Sequence, residues 1–185
     1  MSKFQSYRMF DLVMLSVIAV FAEITSIVLG QLLPGAGFYV SFSGMVVIIA
    51  LIRWRQWGFV VSVLSAIPLI FFSEMITVQL ILYYLVSSSM VGLVPFVFSR
   101  IKTEKILKNG YIFLLYILSY YGILFISRGL IGTLMGYTFV QALTQAFIQL
   151  AFSLVMSSIF LMLFRKREGL LIDMTTYIYK EVIQE

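Results

Sequence analysis

Apolar runs of roughly bilayer length alternate along this chain with short clusters of lysine and arginine. The clusters are Lys3 and Arg8; Arg53 and Arg55; Arg100, Lys102, Lys105 and Lys108; then Arg165, Lys166, Arg167 and Lys180, and only Arg128 stands apart. Successive clusters are separated by 44, 44 and 56 residues. A helical crossing needs about 20 apolar residues, so each interval holds one helical hairpin and the pattern predicts an all-α polytopic membrane protein of six spans. Loops rich in lysine and arginine stay in the cytoplasm, which puts both termini and the loops after spans two and four inside.

The expected spans run over about 12–33, 38–52, 58–73, 77–98, 111–127 and 139–164. Asp11 is placed to cap the first helix, and Pro34, Gly35, Ala36 and Gly37 turn the chain outside. Arg53, Trp54, Arg55, Gln56 and Trp57 form an interfacial loop, and 99–110 is the clearest cytoplasmic loop. Pro68 in span three is tolerable if neighbours satisfy the freed carbonyl. Residues 128–138 fit an outer loop, a surface helix or the start of span six. The tail from 168 to 185 spaces Leu170, Leu171, Met174, Ile178 and Val182 as an amphipathic cytoplasmic helix lying on the membrane or on a partner. The whole reads as one transmembrane domain.

Composition sharpens this picture. With 62% hydrophobic and 11% charged residues and a mean hydropathy of +1.05, the chain lies far from soluble proteins, in which about a quarter of residues are charged. The net charge of +5 follows from topology and anionic lipid, with no sign of a nucleic-acid partner. The absence of cysteine and histidine excludes disulfides, thiolate or imidazole metal sites, and Ser-His or Cys-His catalysis. No phosphate-cradling glycine loop or acidic metal cluster occurs, so neither an enzyme nor a cofactor is expected.

A few polar residues within the apolar runs carry the candidate chemistry. Glu23 falls about 17 Å into span one, near the bilayer midplane, where a carboxylate requires a partner, a proton or an aqueous cavity. Arg128 and Glu74 are expected near the outer surface, either gripping a ligand or lying at headgroup level. Gln141, Gln145, Gln149, Ser153 and Ser157 form a four-residue stripe along span six. At 100° per residue the stripe drifts by about 160°, so its two ends face different neighbours. The outer pair, Gln141 and Gln145, is read as a cavity wall or as interhelical hydrogen bonds, and the serines as a helix contact. The pairs Ala22 with Ser26, Gly132 with Gly136 and Ala142 with Ala146 repeat the spacing that lets helices approach closely. Tyr83, Tyr84, Tyr120, Tyr121 and Tyr137 offer stacking surfaces, and Gln79 is a further polar candidate.

Size, span count and two stretches resemble the substrate-binding S components of energy-coupling factor (ECF) transporters. The first stretch is Leu33-Pro34-Gly35-Ala36-Gly37-Phe38-Tyr39-Val40-Ser41-Phe42-Ser43-Gly44, similar to the family's first outer loop and second helix. The second, Trp57-Gly58-Phe59-Val60, is similar to the start of its third helix. The resemblance implies a bacterial plasma-membrane subunit that captures a vitamin or vitamin precursor from outside in a pocket formed by the outer parts of spans four to six. On that reading Arg128, Gln141, Gln145, Tyr83, Tyr120, Tyr137, Glu74 and Gln79 face substrate. It also implies a membrane coupling subunit driven by two cytoplasmic ATPases. Where the family has an alanine-x-x-x-alanine signature on helix one, this chain has Ser16, Ala19, Ala22 and Ser26, with Glu23 beside them as the expected coupling face. Few charges and many aromatics suggest a planar, weakly charged ligand of pyrimidine, pyridoxine or flavin type. A scaffold subunit without ligand, or a small carrier or channel, remains the alternative.

Overall fold

The computed structural model describes residues 3–32, 40–73, 75–165, 167 and 169–182. The described residues are mostly helical and include no strand. Five helical segments are long and apolar enough to cross a bilayer: Phe4–Leu32, Ser43–Phe71, Val78–Val97, Gly110–Leu134 and Phe139–Phe164. The protein is therefore an all-α membrane protein with several crossings. The expected turn at Pro34 to Gly37, Glu74 and Lys166 fall outside the described residues, as do the side chains of Lys3, Lys180 and Val182.

Among the described residues the α-helices are α1 (Lys3–Leu32), α2 (Ser43–Trp54), α3 (Phe59–Ser65), α4 (Ile67–Phe71), α5 (Val78–Ser89), α6 (Val94–Val97), α7 (Thr103–Lys108), α8 (Gly110–Leu134), α9 (Phe139–Phe164) and α10 (Met174–Val182). The segment Ser43–Phe71 is not one straight rod. Arg55 takes φ 51°, a 3-10 turn spans Arg55–Gly58, and the chain folds back so that α3 packs against α2. Gly58 permits this approach, because a Cβ there would lie 2.5 Å from the Leu51 backbone nitrogen. Pro68 stands in the first turn of α4, where its missing N–H costs no helix bond.

Polar side chains set the other helix starts. Thr77 accepts from the Leu80 amide at the head of α5, and Asn109 accepts from the Tyr111 and Ile112 amides at the head of α8. At α9 a reciprocal cap joins Thr138 and Gln141. Residues 128–134 are helical: α8 continues to Leu134 and ends in a left-handed Gly136 at φ 96°, with the Tyr137 amide donating back to the Gly132 carbonyl. Arg128 thus lies within a helix rather than in an outer loop.

Small residues bring α8 and α9 together, with Gly132 facing Ala142 and Gly129 facing Leu143. Helix α1 packs on α2 and α3, and α5 packs on α3 and α8. The core they enclose includes Trp54, Phe113, Ile48, Leu51, Ile117 and Leu161.

The basic clusters converge on one end of the bundle. Arg8 stacks 4.4 Å from the Trp57 ring centre, and Arg53 grips Asp11 with two bonds of 2.9 and 3.0 Å while also donating to the Gly169 and Leu170 carbonyls. The Trp54 indole N–H donates to the same Asp11. Arg55 pairs with Asp173 at 3.3 Å. Burial pushes the Asp173 carboxyl up, but hydrogen bonds from Thr175 and Thr103, the Arg55 guanidinium and the Thr176 amide together hold it below its ordinary value. Leu171 and Ile178 are buried in the core. The tail is docked on its own chain through these residues, where the sequence pattern suggested the membrane or a partner.

Candidate functional site

Because α2 starts only at Ser43, residues 40–42 enter the bundle as non-helical chain. Unpaired backbone groups are expensive away from water, and here serine hydroxyls satisfy them. Ser41 N–H donates to Ser153 Oγ at 2.8 Å, and Phe42 N–H donates to Ser26 Oγ at 2.9 Å. Ser153 is mid-way along α9, so this irregular backbone lies at the centre of that helix's length.

Behind it is a polar cavity of about 30 Å³, enough for about two water molecules. Serines make up much of its wall: Ser41 and Ser43 from the start of α2 and the chain just before it, Ser62 and Ser65 from α3, and Ser88 from α5. Tyr120, Tyr121 and Arg128 come from α8, Gln149 from α9 and Glu23 from α1. That Ser43 and Gly44 share this wall with Ser65 and Leu69 follows directly from the reversal at Arg55.

Two opposite charges face the cavity. Glu23, 1% exposed, accepts from the Ser41 hydroxyl at 2.6 Å, within the short range of hydroxyl-to-carboxylate bonds, and Ser41 is 3.0 Å from Ser43 Oγ. Arg128, 9% exposed, donates through Nη1 to Gln149 Oε1 at 3.2 Å and lies 5.6 Å over the Tyr84 ring. Its Nε is buried and has no acceptor among the described residues. A buried donor of this kind calls for water or a ligand oxygen.

The expected site residues divide. Arg128 and Tyr120 line the cavity, whereas Tyr83 does not and packs edge-to-face on Tyr84. Gln79, Tyr137, Gln141 and Gln145 are exposed and take no part in the cavity; Gln141 is spent on the α9 cap. Glu74 lies outside the described residues. On α1, Ser16, Ala19, Glu23 and Ser26 are buried within this chain and Ala22 is half-buried, whereas Val13, Val17 and Phe21 are exposed. Within this chain the small residues of α1 are turned inward, and of the α1 residues only Glu23 lines the cavity.

Sequence reasoning passed over Ser41, Ser43, Ser62, Ser65 and Ser88. The available signal was small hydroxyl residues recurring inside apolar runs, and it becomes specific only when the α2–α3 reversal brings them together. Gln149 and Ser157 were visible in the α9 stripe: Gln149 orients Arg128, and Ser157 bonds the Tyr121 hydroxyl at 2.6 Å. Comparison of the chain with family models, curated proteins and solved structures finds no match.

Proposed function

We propose that this chain is the membrane-embedded substrate-binding subunit of an ECF-type importer, taking a vitamin or vitamin precursor from outside the cell. The observation that carries the reading is the serine-lined cavity into which Glu23 and Arg128 both face. Ionised groups are costly within a bilayer and mark ligand or ion pathways by default. The protein is non-enzymatic and acts by binding and release.

The topology belongs to the same proposal. The α2–α4 reversal divides Ser43–Phe71 into two short arms and supports six crossings in all. Convergence of Arg8, Arg53, Arg55 and Lys102 at one end supports a cytoplasmic basic face, with both termini there, in a bacterial plasma membrane. Ligand enters by widening the cavity at residues 40–42, which are held by two serine hydroxyls rather than by helix bonds. The exposed apolar face of α1, with Val13, Val17 and Phe21, is the surface offered to a coupling subunit carrying two ATPases.

Affinity purification of the tagged chain from its own membranes in mild detergent tests this. A stoichiometric membrane partner with paired ATPases is expected. Normal expression with no such partner removes the importer assignment. Glu23 in a cavity also favours a second reading, a small proton-coupled carrier; proton-dependent flux in vesicles holding this chain alone would select it.

A further inference from the structure

Where α1 leaves the basic end, a groove of about 530 Å³ runs between it and the turn into α3. Met9, Leu12 and Val13 on one side and Trp57 and Val60 on the other give it apolar walls, with Arg8 toward the basic end. From Arg8 to Ser16 the lining covers about 12 Å of helix. The Ser16 hydroxyl is already used, because it donates to the Leu12 carbonyl at 2.7 Å. Met9 and Val13 are exposed on a helix that crosses the membrane, so the groove opens toward lipid.

Arg8 gives this apolar channel a charged end. Its guanidinium lies 4.4 Å from the Trp57 ring centre and 5.8 Å from that of Phe4. Stacking uses the faces of a guanidinium and leaves its N–H edges for an oxygen acceptor. Among the described residues Arg8 pairs with no carboxylate: Asp11 is taken by Arg53, and Asp173 by Arg55. No acidic residue lines the groove, which therefore carries a net positive charge.

We propose that the groove holds one anionic phospholipid, with its phosphate on Arg8 and an acyl chain along Leu12, Val13 and Val60. A single cation at the end of an apolar channel open to lipid complements a single anion followed by a flexible apolar chain. A zwitterionic headgroup brings its own ammonium to a place that already holds Arg8 and offers it no carboxylate, so the headgroup of net negative charge is preferred. The groove shares only Val13 with the α1 face of Val13, Val17 and Phe21 offered to a coupling subunit, and the lipid borders that face. The inference needs only the membrane placement of α1 and stands whatever the central cavity binds.

Titration of phosphatidylglycerol and of phosphatidylethanolamine with the same acyl chains into the delipidated protein, read by native mass spectrometry, tests it. The wild type should retain one phosphatidylglycerol about fivefold more tightly than phosphatidylethanolamine, the ratio that one lysine or arginine at the membrane surface contributes. Arg8→Gln should remove that preference. Lys105→Gln, at the same end but outside the groove, should leave it intact. Equal retention of the two lipids by the wild type overturns the site, and does so even where Arg8→Gln fails to fold. A preference that survives in Arg8→Gln, or that falls equally in Lys105→Gln, overturns it in favour of a diffuse basic surface. Cross-links from Val60 to a copurifying membrane subunit overturn it in favour of a protein in the groove.

Discussion

The central cavity and the basic end are both polar regions in an apolar protein, and they handle charge in opposite ways. At the basic end, Asp11 receives Arg53 and Trp54, and Asp173 receives Arg55, Thr103 and Thr175, so carboxylates are satisfied by protein donors from distant parts of the chain. In the cavity, Glu23 and Arg128 share a void, and Arg128 keeps a buried donor without an acceptor among the described residues. Charges consumed by the chain itself hold the fold together. The Arg128 donor turned into the cavity is not consumed in this way.

Substitutions should separate the two regions. The largest effect is expected from Arg128→Ala, which should weaken ligand binding about 100-fold, or about 3 kcal/mol, with little change in thermal stability. Titration of the copurified ligand into the emptied protein measures it. Asp11→Asn should do the reverse: it unpairs Arg53 and Trp54 and should cost about 2 kcal/mol, a fall of about 4–8 °C in unfolding temperature, with affinity unchanged. A loss of affinity in Asp11→Asn would erase the distinction.

Acid should loosen the basic end through Asp173. Its folded-state carboxyl is held below the ordinary value, so its contribution to stability is complete above that ordinary value and is lost as pH falls through the depressed one. Tail susceptibility to protease should therefore rise at acid pH in the wild type. Asp173→Asn should show raised susceptibility at neutral pH, equivalent to about 1 kcal/mol, and a flatter acid response. The smallest effect belongs to Gln141→Ala. Loss of its capping bond to the Thr138 amide should cost about 0.5–1 kcal/mol, and ligand affinity should change less than about twofold.

The same contrast explains what the sequence made legible. The basic clusters and the apolar intervals place most helix ends within about five residues, with α9 over Phe139–Phe164 as expected, because hydropathy is a local property; α1, however, starts at Lys3 rather than near 12, and α8 runs to Leu134 rather than 127. Convergence of Arg53, Arg55 and the tail was foreshadowed by charge, but the individual pairs with Asp11 and Asp173 span 42 and 118 residues and leave no local trace. The cavity was less visible still. Arg128 was singled out, yet its burial depends on α8 running through residues that composition allowed to be a loop. Glu23 stood out as a costly group at depth, but its placement on the same cavity as Arg128 requires the reversal at Arg55 and the non-helical entry before Ser43. Gln141 and Gln145 share a stripe with Gln149, and only the helix rotation decides that Gln149 alone reaches the cavity.

The most direct measurement is ligand occupancy by native mass spectrometry for wild type, Asp11→Asn and Arg128→Ala prepared side by side. Occupancy should persist in Asp11→Asn despite its lower unfolding temperature and disappear in Arg128→Ala. The same molecule retained at wild-type occupancy in Arg128→Ala would contradict the cavity as the binding site.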